Sequence, residues 1–245
     1  MNTDLITYYI LSAVAVLIIL AIHEYSHAYA AYRLGDRTAE SFGRLTINPI
    51  KHIDPLGALC MLFFHVGWAK PVPVNPRNLK KPKRDFALVS LAGPLSNIIL
   101  GFLFAAIYLL FLKIPVSGSG FLLTFLSNVA LFLYLFVTIN IGLGIFNLLP
   151  IPPFDGSRLL GVILPEKAYF AVMRNERKIY LFVLLWLILG DSVTGILRAL
   201  PLIYSTPWLY YAVGIFSLSD ILGFLINGLT ELIFKFWQLI PFLKL

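Results

Sequence analysis

Ala21-Ile22-His23-Glu24-Tyr25-Ser26-His27-Ala28 lies near the end of an apolar run that begins at about Leu5. Residues four apart share one face of a helix, so His23 and His27 can both point at one metal ion. Glu24, beside the first histidine, can reach a water on that ion without ligating it. The surroundings decide the fold. The run exceeds the roughly 20 residues that cross a bilayer. Ionisable side chains inside such helices cost roughly 2.5–3.5 kcal/mol each on insertion scales, so they mark a function.

Of the 245 residues, 59% are apolar and only 13% are charged, about half the charged share of a soluble domain. Further apolar runs reach spanning length, and the chain reads as an α-helical polytopic membrane protein. Its one cysteine, Cys60, permits no intrachain disulfide and no cysteine-based zinc site. The net charge of +7 gathers largely in Lys70–Arg84. That pattern is loop charge of the positive-inside kind rather than a nucleic-acid footprint, so the lipid bilayer is expected as a partner and nucleic acid is not. The acidic start at Asp4 and the length of the first run argue for a retained span rather than a cleaved leader.

The first helix is expected from about Leu5 to Arg33, with Gly35 as its stop. Arg33, Arg37 and Arg44 follow it, which places the N-terminus outside and the histidines toward the cytoplasm. From 36 to 85, prolines at 49, 55, 71, 73, 76 and 82 rule out a continuous span. Pro55–Val66 reads as a short re-entrant piece, and 44–47 and 72–74 as edge strands. Irregular backbone at membrane depth must be shielded or line a wet cavity, so this insert is a candidate wall of the site. Two more core helices are expected over 86–112 and 121–149, the first carrying Pro94. A polar loop at 165–178 and a fourth span at 179–200 follow. Residues 201–245 suit either one more span, near 210–234, or interfacial helices. The division expected is a core at 1–164, with the insert at 36–85, and C-terminal membrane helices at 165–245.

A catalytic zinc usually takes three protein ligands and keeps one position open. His23 and His27 supply two, leaving His52, His65 or a carboxylate for the third. Topology favours Asp155, because it and His27 both fall near the cytoplasmic ends of inward-running helices. Glu24 is then the general base, and Asn147 or Asn97 is a candidate to bind substrate backbone or a developing oxyanion.

Four segments in this order resemble the site-2 protease family: HEYSH at 23–27, GWAKPVPVNP at 67–76, AGPLSN at 92–97 and NLLPIPPFDG at 147–156. The likeness is to the compact prokaryotic type without a PDZ domain. It implies an intramembrane zinc metalloprotease with one Zn2+ per chain, held by His23, His27 and Asp155, with Glu24 as base. Asn147 matches the asparagine opening the family's last motif, although Leu148 stands where a proline often follows. The resemblance further implies a three-helix catalytic core, a sheet-like insert that positions substrate, and cleavage of transmembrane proteins near the cytoplasmic side. The competing readings are a membrane metal-ion transporter and a non-catalytic membrane scaffold.

Overall fold

A computed structural model of the chain describes residues 3–54, 57, 69–115 and 120–244. Cys60, His65 and, apart from Gly57, the expected re-entrant piece at 55–66 lie outside the described residues.

Three long helices form the first half: α1 (Thr3–Arg33), α2 (Pro82–Phe111) and α3 (Phe121–Leu148). They follow the three expected core spans, and α2 runs on through Pro94 as one helix. In lipid, tails are as apolar as leucine, so helices associate through close packing at small residues. That is how this core is built. Ala15 and Ile19 of α1 pack on Phe136 of α3, with Leu100 and Phe104 of α2 alongside. On α2, Gly101 leaves room for Ile141, whose Cγ1 a Cβ there would meet at 2.8 Å. Gly144 of α3 returns the fit, since a Cβ there would lie 2.8 Å from Ile98 Cγ1. Two notches and two isoleucine knobs thus set the register of α2 against α3.

The second half adds α4 (Glu166–Arg174), α5 (Glu176–Ala199) and α6 (Leu218–Gln238). The expected loop at 165–178 is therefore largely helical. Ion pairs join it to its neighbours: Lys83 at the start of α2 meets Glu166, and Arg158 lies 3.5 Å from Glu176. Ile233 of α6 joins the cluster of Ala105, Val137 and Ile141, and Trp237 donates its indole N–H to the Phe102 carbonyl at 2.8 Å. Helix α6 also packs on α5 through Leu218, Leu222 and Val183. Residues 207–215 meet α6 at 104°, so the tail is bent rather than one straight span over 210–234. Among the described residues, four helices are long and apolar enough to cross a membrane, or five if that bent pair is one span.

The insert departs from its expected form. Among the described residues it contains no strand, only one antiparallel bridge between Ile53 and Ala69. Pro71 and Pro73 explain this, since neither has an N–H to give a ladder. Polar side chains hold the segment instead. Asp36 is fully buried and accepts from the Asn75 N–H at 2.6 Å, the Thr38 N–H at 3.0 Å and Asn78 Nδ2 at 2.8 Å. Burial alone would raise its carboxyl, but hydrogen bonds from Thr38, Asn78 and Asn75 outweigh that and hold it below the usual carboxylate range. Arg44, also buried, donates to the Lys70 carbonyl at 2.6 Å. His52 gives its Nε2 proton to the Thr46 carbonyl at 2.7 Å.

Candidate metal centre

His23 and His27 sit one turn apart toward the C-terminal end of α1, both almost fully buried. A stripe of α2 faces them at four-residue spacing: Val89, Gly93 and Asn97. Each member does something different. The Val89 carbonyl takes the Nδ1 proton of His27 at 2.7 Å. Gly93 leaves the space that the rings fill, for a Cβ there would lie 2.4 Å from His27 Nε2 and 2.7 Å from His23 Cε1. Asn97 lies behind His23, with Nδ2 3.1 Å from His23 Nδ1.

Asp155 arrives from the far side of α3. The helix stops at Leu148, and three prolines in four positions give residues 150–153 no means of continuing it. Gly156 then lets the chain double back, since a Cβ there would stand 2.2 Å from the Leu148 carbonyl oxygen. A short 3-10 turn follows at Asp155–Leu159, leading into a last helical turn at Leu160–Ile163. Asp155 makes no capping bond to it. Its carboxylate turns to the histidines, with Oδ2 3.1 Å from both Nε2 atoms.

The two Nε2 atoms are 3.0 Å apart, so the three donor atoms form a nearly equilateral triangle. Tetrahedral zinc with bonds of about 2.0–2.1 Å has ligand–ligand edges of about 3.3–3.4 Å. The triangle needs to open by only a few tenths of an ångström to match. Two imidazoles and a carboxylate are also the donor types that catalytic zinc takes. Among the described residues this is the one group of three such side chains close enough to share an ion. His52, an alternative third ligand in the sequence, is instead committed to Thr46 and Arg44 in the insert.

The triangle lies on a cavity of about 1060 Å³, lined also by Glu24, Val72, Asn147 and Arg158. Glu24 is nearly buried, and its Oε2 accepts the Val72 N–H at 2.9 Å. Asn147 reaches the cavity but spends its Nδ2 on the Leu143 carbonyl of its own helix at 3.1 Å. Asn97 does not reach it, being 0% exposed. The roles of Val72 and Gly156 were not anticipated from sequence. The i, i+4, i+8 stripe of Val89, Gly93 and Asn97 was there to be read.

The family model "Peptidase family M50" matches residues 11–129 and 122–190. The "Putative zinc metalloprotease YwhC" of Bacillus subtilis is 43% identical over 167 residues, 66% of this chain and 75% of that protein. Two proteins called Rip2, with the same description, are also similar. The one from Mycolicibacterium smegmatis is 32% identical over 69% of this chain and 63% of its own length. The one from Mycobacterium tuberculosis H37Rv is 33% identical over 73% of this chain and 66% of its own length. No solved structure matches the chain.

Proposed function

The chain belongs to peptidase family M50 and is a zinc metalloendopeptidase with several membrane helices; from that premise we propose that it is an intramembrane protease cutting transmembrane segments near the cytoplasmic side. The observation that carries the reading is the triangle of His23 Nε2, His27 Nε2 and Asp155 Oδ2 beside Glu24, deep in a helical core. The family leaves no ground for the transporter and scaffold readings.

His23, His27 and Asp155 hold the ion. What zinc supplies when bound is Lewis acidity, which brings a water's pKa toward ~7 and polarises the scissile carbonyl. Glu24 does the proton work. Val72 engages one carboxylate oxygen, leaving Oε1 to accept the proton of the attacking water. Glu24 then passes that proton to the amine nitrogen as the C–N bond breaks. Asn147, on the cavity wall, contacts the backbone of the bound segment. A substrate helix must unwind locally, because its carbonyls are occupied and its scissile carbon is shielded. The backbone at 69–74 lines the same cavity, and with its prolines lacking N–H groups it offers the unwound segment main-chain carbonyls as acceptors rather than a full ladder. Residues 1–164 carry the chemistry, and α4 and α5 close the cavity through Met173, Arg177 and Tyr180.

Orientation follows from the basic residues Arg33, Arg37 and Arg44 after α1, which put the N-terminus outside and the site toward the cytoplasm. The test is cleavage of a transmembrane substrate in reconstituted vesicles by the wild type and by Glu24→Gln. The variant keeps its zinc and loses activity. Full activity in the purified variant removes Glu24 as the base.

A further inference from the structure

Asn97 is fully buried, and its Oδ1 has no hydrogen-bond partner among the described residues. Its other amide atom lies 3.1 Å from His23 Nδ1. An orphaned carbonyl oxygen in an apolar helix interface is costly, and such groups call for an explanation. The neighbouring histidine provides one. For His23 to give its Nε2 lone pair to an ion, the neutral ring must carry its proton on Nδ1, and that N–H then needs an acceptor. His27 meets the same requirement with the Val89 carbonyl. Asn97 stands at the corresponding place for His23, two turns further along the same stripe of α2. The two ends of an amide differ in hydrogen bonding and hardly at all in shape. Turning the group by half a rotation brings the orphaned Oδ1 onto His23 Nδ1.

We propose that Asn97 is a positioning residue whose side-chain oxygen accepts the Nδ1 proton of His23, fixing the ring tautomer and orientation in which Nε2 holds zinc. The proposal rests on His23 being a ligand. It takes Asn97 out of substrate and oxyanion binding, since a wholly buried amide outside the cavity touches neither. Helix α2 thereby sets both histidines at once, through a main-chain oxygen on one and a side-chain oxygen on the other.

The experiment measures zinc affinity by chelator competition on the detergent-purified full chain. Alongside it, 15N spectra of histidine-labelled, zinc-loaded protein report which ring nitrogen of His23 carries the proton. Asn97→Leu removes the acceptor and weakens zinc binding by roughly 10–100-fold. Asn97→Asp keeps the oxygen, loses the donor and keeps affinity within about threefold of the wild type, as carboxylate–histidine pairs at zinc sites do. In the wild type His23 carries its proton on Nδ1. Unchanged affinity in Asn97→Leu, equal losses in the two variants, or a His23 without a proton on Nδ1 each overturn the proposal. His23→Ala is the separate control. Undiminished zinc in that variant removes His23 as a ligand, and with it the reading on which the proposal stands.

Discussion

One wall of the cavity is helix packed on helix, and the other is an irregular strap pinned by hydrogen bonds. Glu24 stands between them. On the helical wall, position is set by contact: Gly93 admits the imidazoles and Val89 holds His27. On the strap, two prolines forbid a ladder and Asp36 and Arg44 hold the backbone through buried polar bonds. The contrast teaches that ligands and substrate impose different demands. A triangle of metal-ligand type tolerates only a few tenths of an ångström of displacement, so it sits where packing leaves little room. The wall proposed to admit a polypeptide is fastened by a few separable bonds, and one of these, from the Val72 N–H, ends on Glu24, the proposed general base.

The comparison can be broken at several points. Glu24→Gln should cost the most, roughly 10²–10⁴-fold in turnover with zinc content unchanged, measured on reconstituted protein. Gly93→Ala places a methyl inside the imidazole pair. It should lower zinc affinity by about 10–100-fold, on the scale of lost support to a ligand, while the spectrum of helix content stays the same. Retained affinity there means that the packed wall yields more readily than its contacts suggest. Asp36→Ala acts on the other wall. It should leave zinc binding near the wild-type value but speed hydrogen exchange at the amides of Thr38 and Asn75. The local loss should be about 2–4 kcal/mol for a buried charged acceptor. Loss of zinc in that variant would show that the two walls are one unit.

A gentler version of the last test uses pH. The folded pKa of Asp36 is depressed, so its stabilising effect is complete above the unfolded value of about 3.9 and disappears as pH falls through the lower folded value. The protection factor at Asn75, with the pH dependence of intrinsic exchange divided out, should therefore fall on acidification in the wild type, and Asp36→Asn should abolish that dependence. The smallest effect belongs to Trp237→Phe, far from both walls. Losing its bond to the Phe102 carbonyl should cost about 1 kcal/mol in thermal stability and nothing in catalysis.

Much of the helical wall was legible in the sequence, because its signals are local. HEYSH has helical spacing, the apolar runs have membrane length, and the prolines after Leu148 mark where the chain leaves α3 on its way to Asp155. The strap was not legible in the same way. Its short alternating stretches look like strands, yet Pro71 and Pro73 remove the donors, and Asp36 reaches residues 39 and 42 positions ahead to hold it. The burial of Asn97 away from the cavity was not legible for a related reason. A polar residue in a spanning helix suggests a site, but sequence does not say which face it occupies until its neighbours Val89 and Gly93 are seen in register with the histidines. The bend near residue 216 likewise depends on how 207–215 packs, not on composition.

The central claim is that His23, His27 and Asp155 together hold one zinc ion. Metal content per chain, measured on detergent-purified wild type and on Asp155→Ala, tests it most directly. The account predicts one equivalent in the wild type and a large loss in the variant, with helix content and monodispersity preserved. A full equivalent of zinc in Asp155→Ala would contradict it.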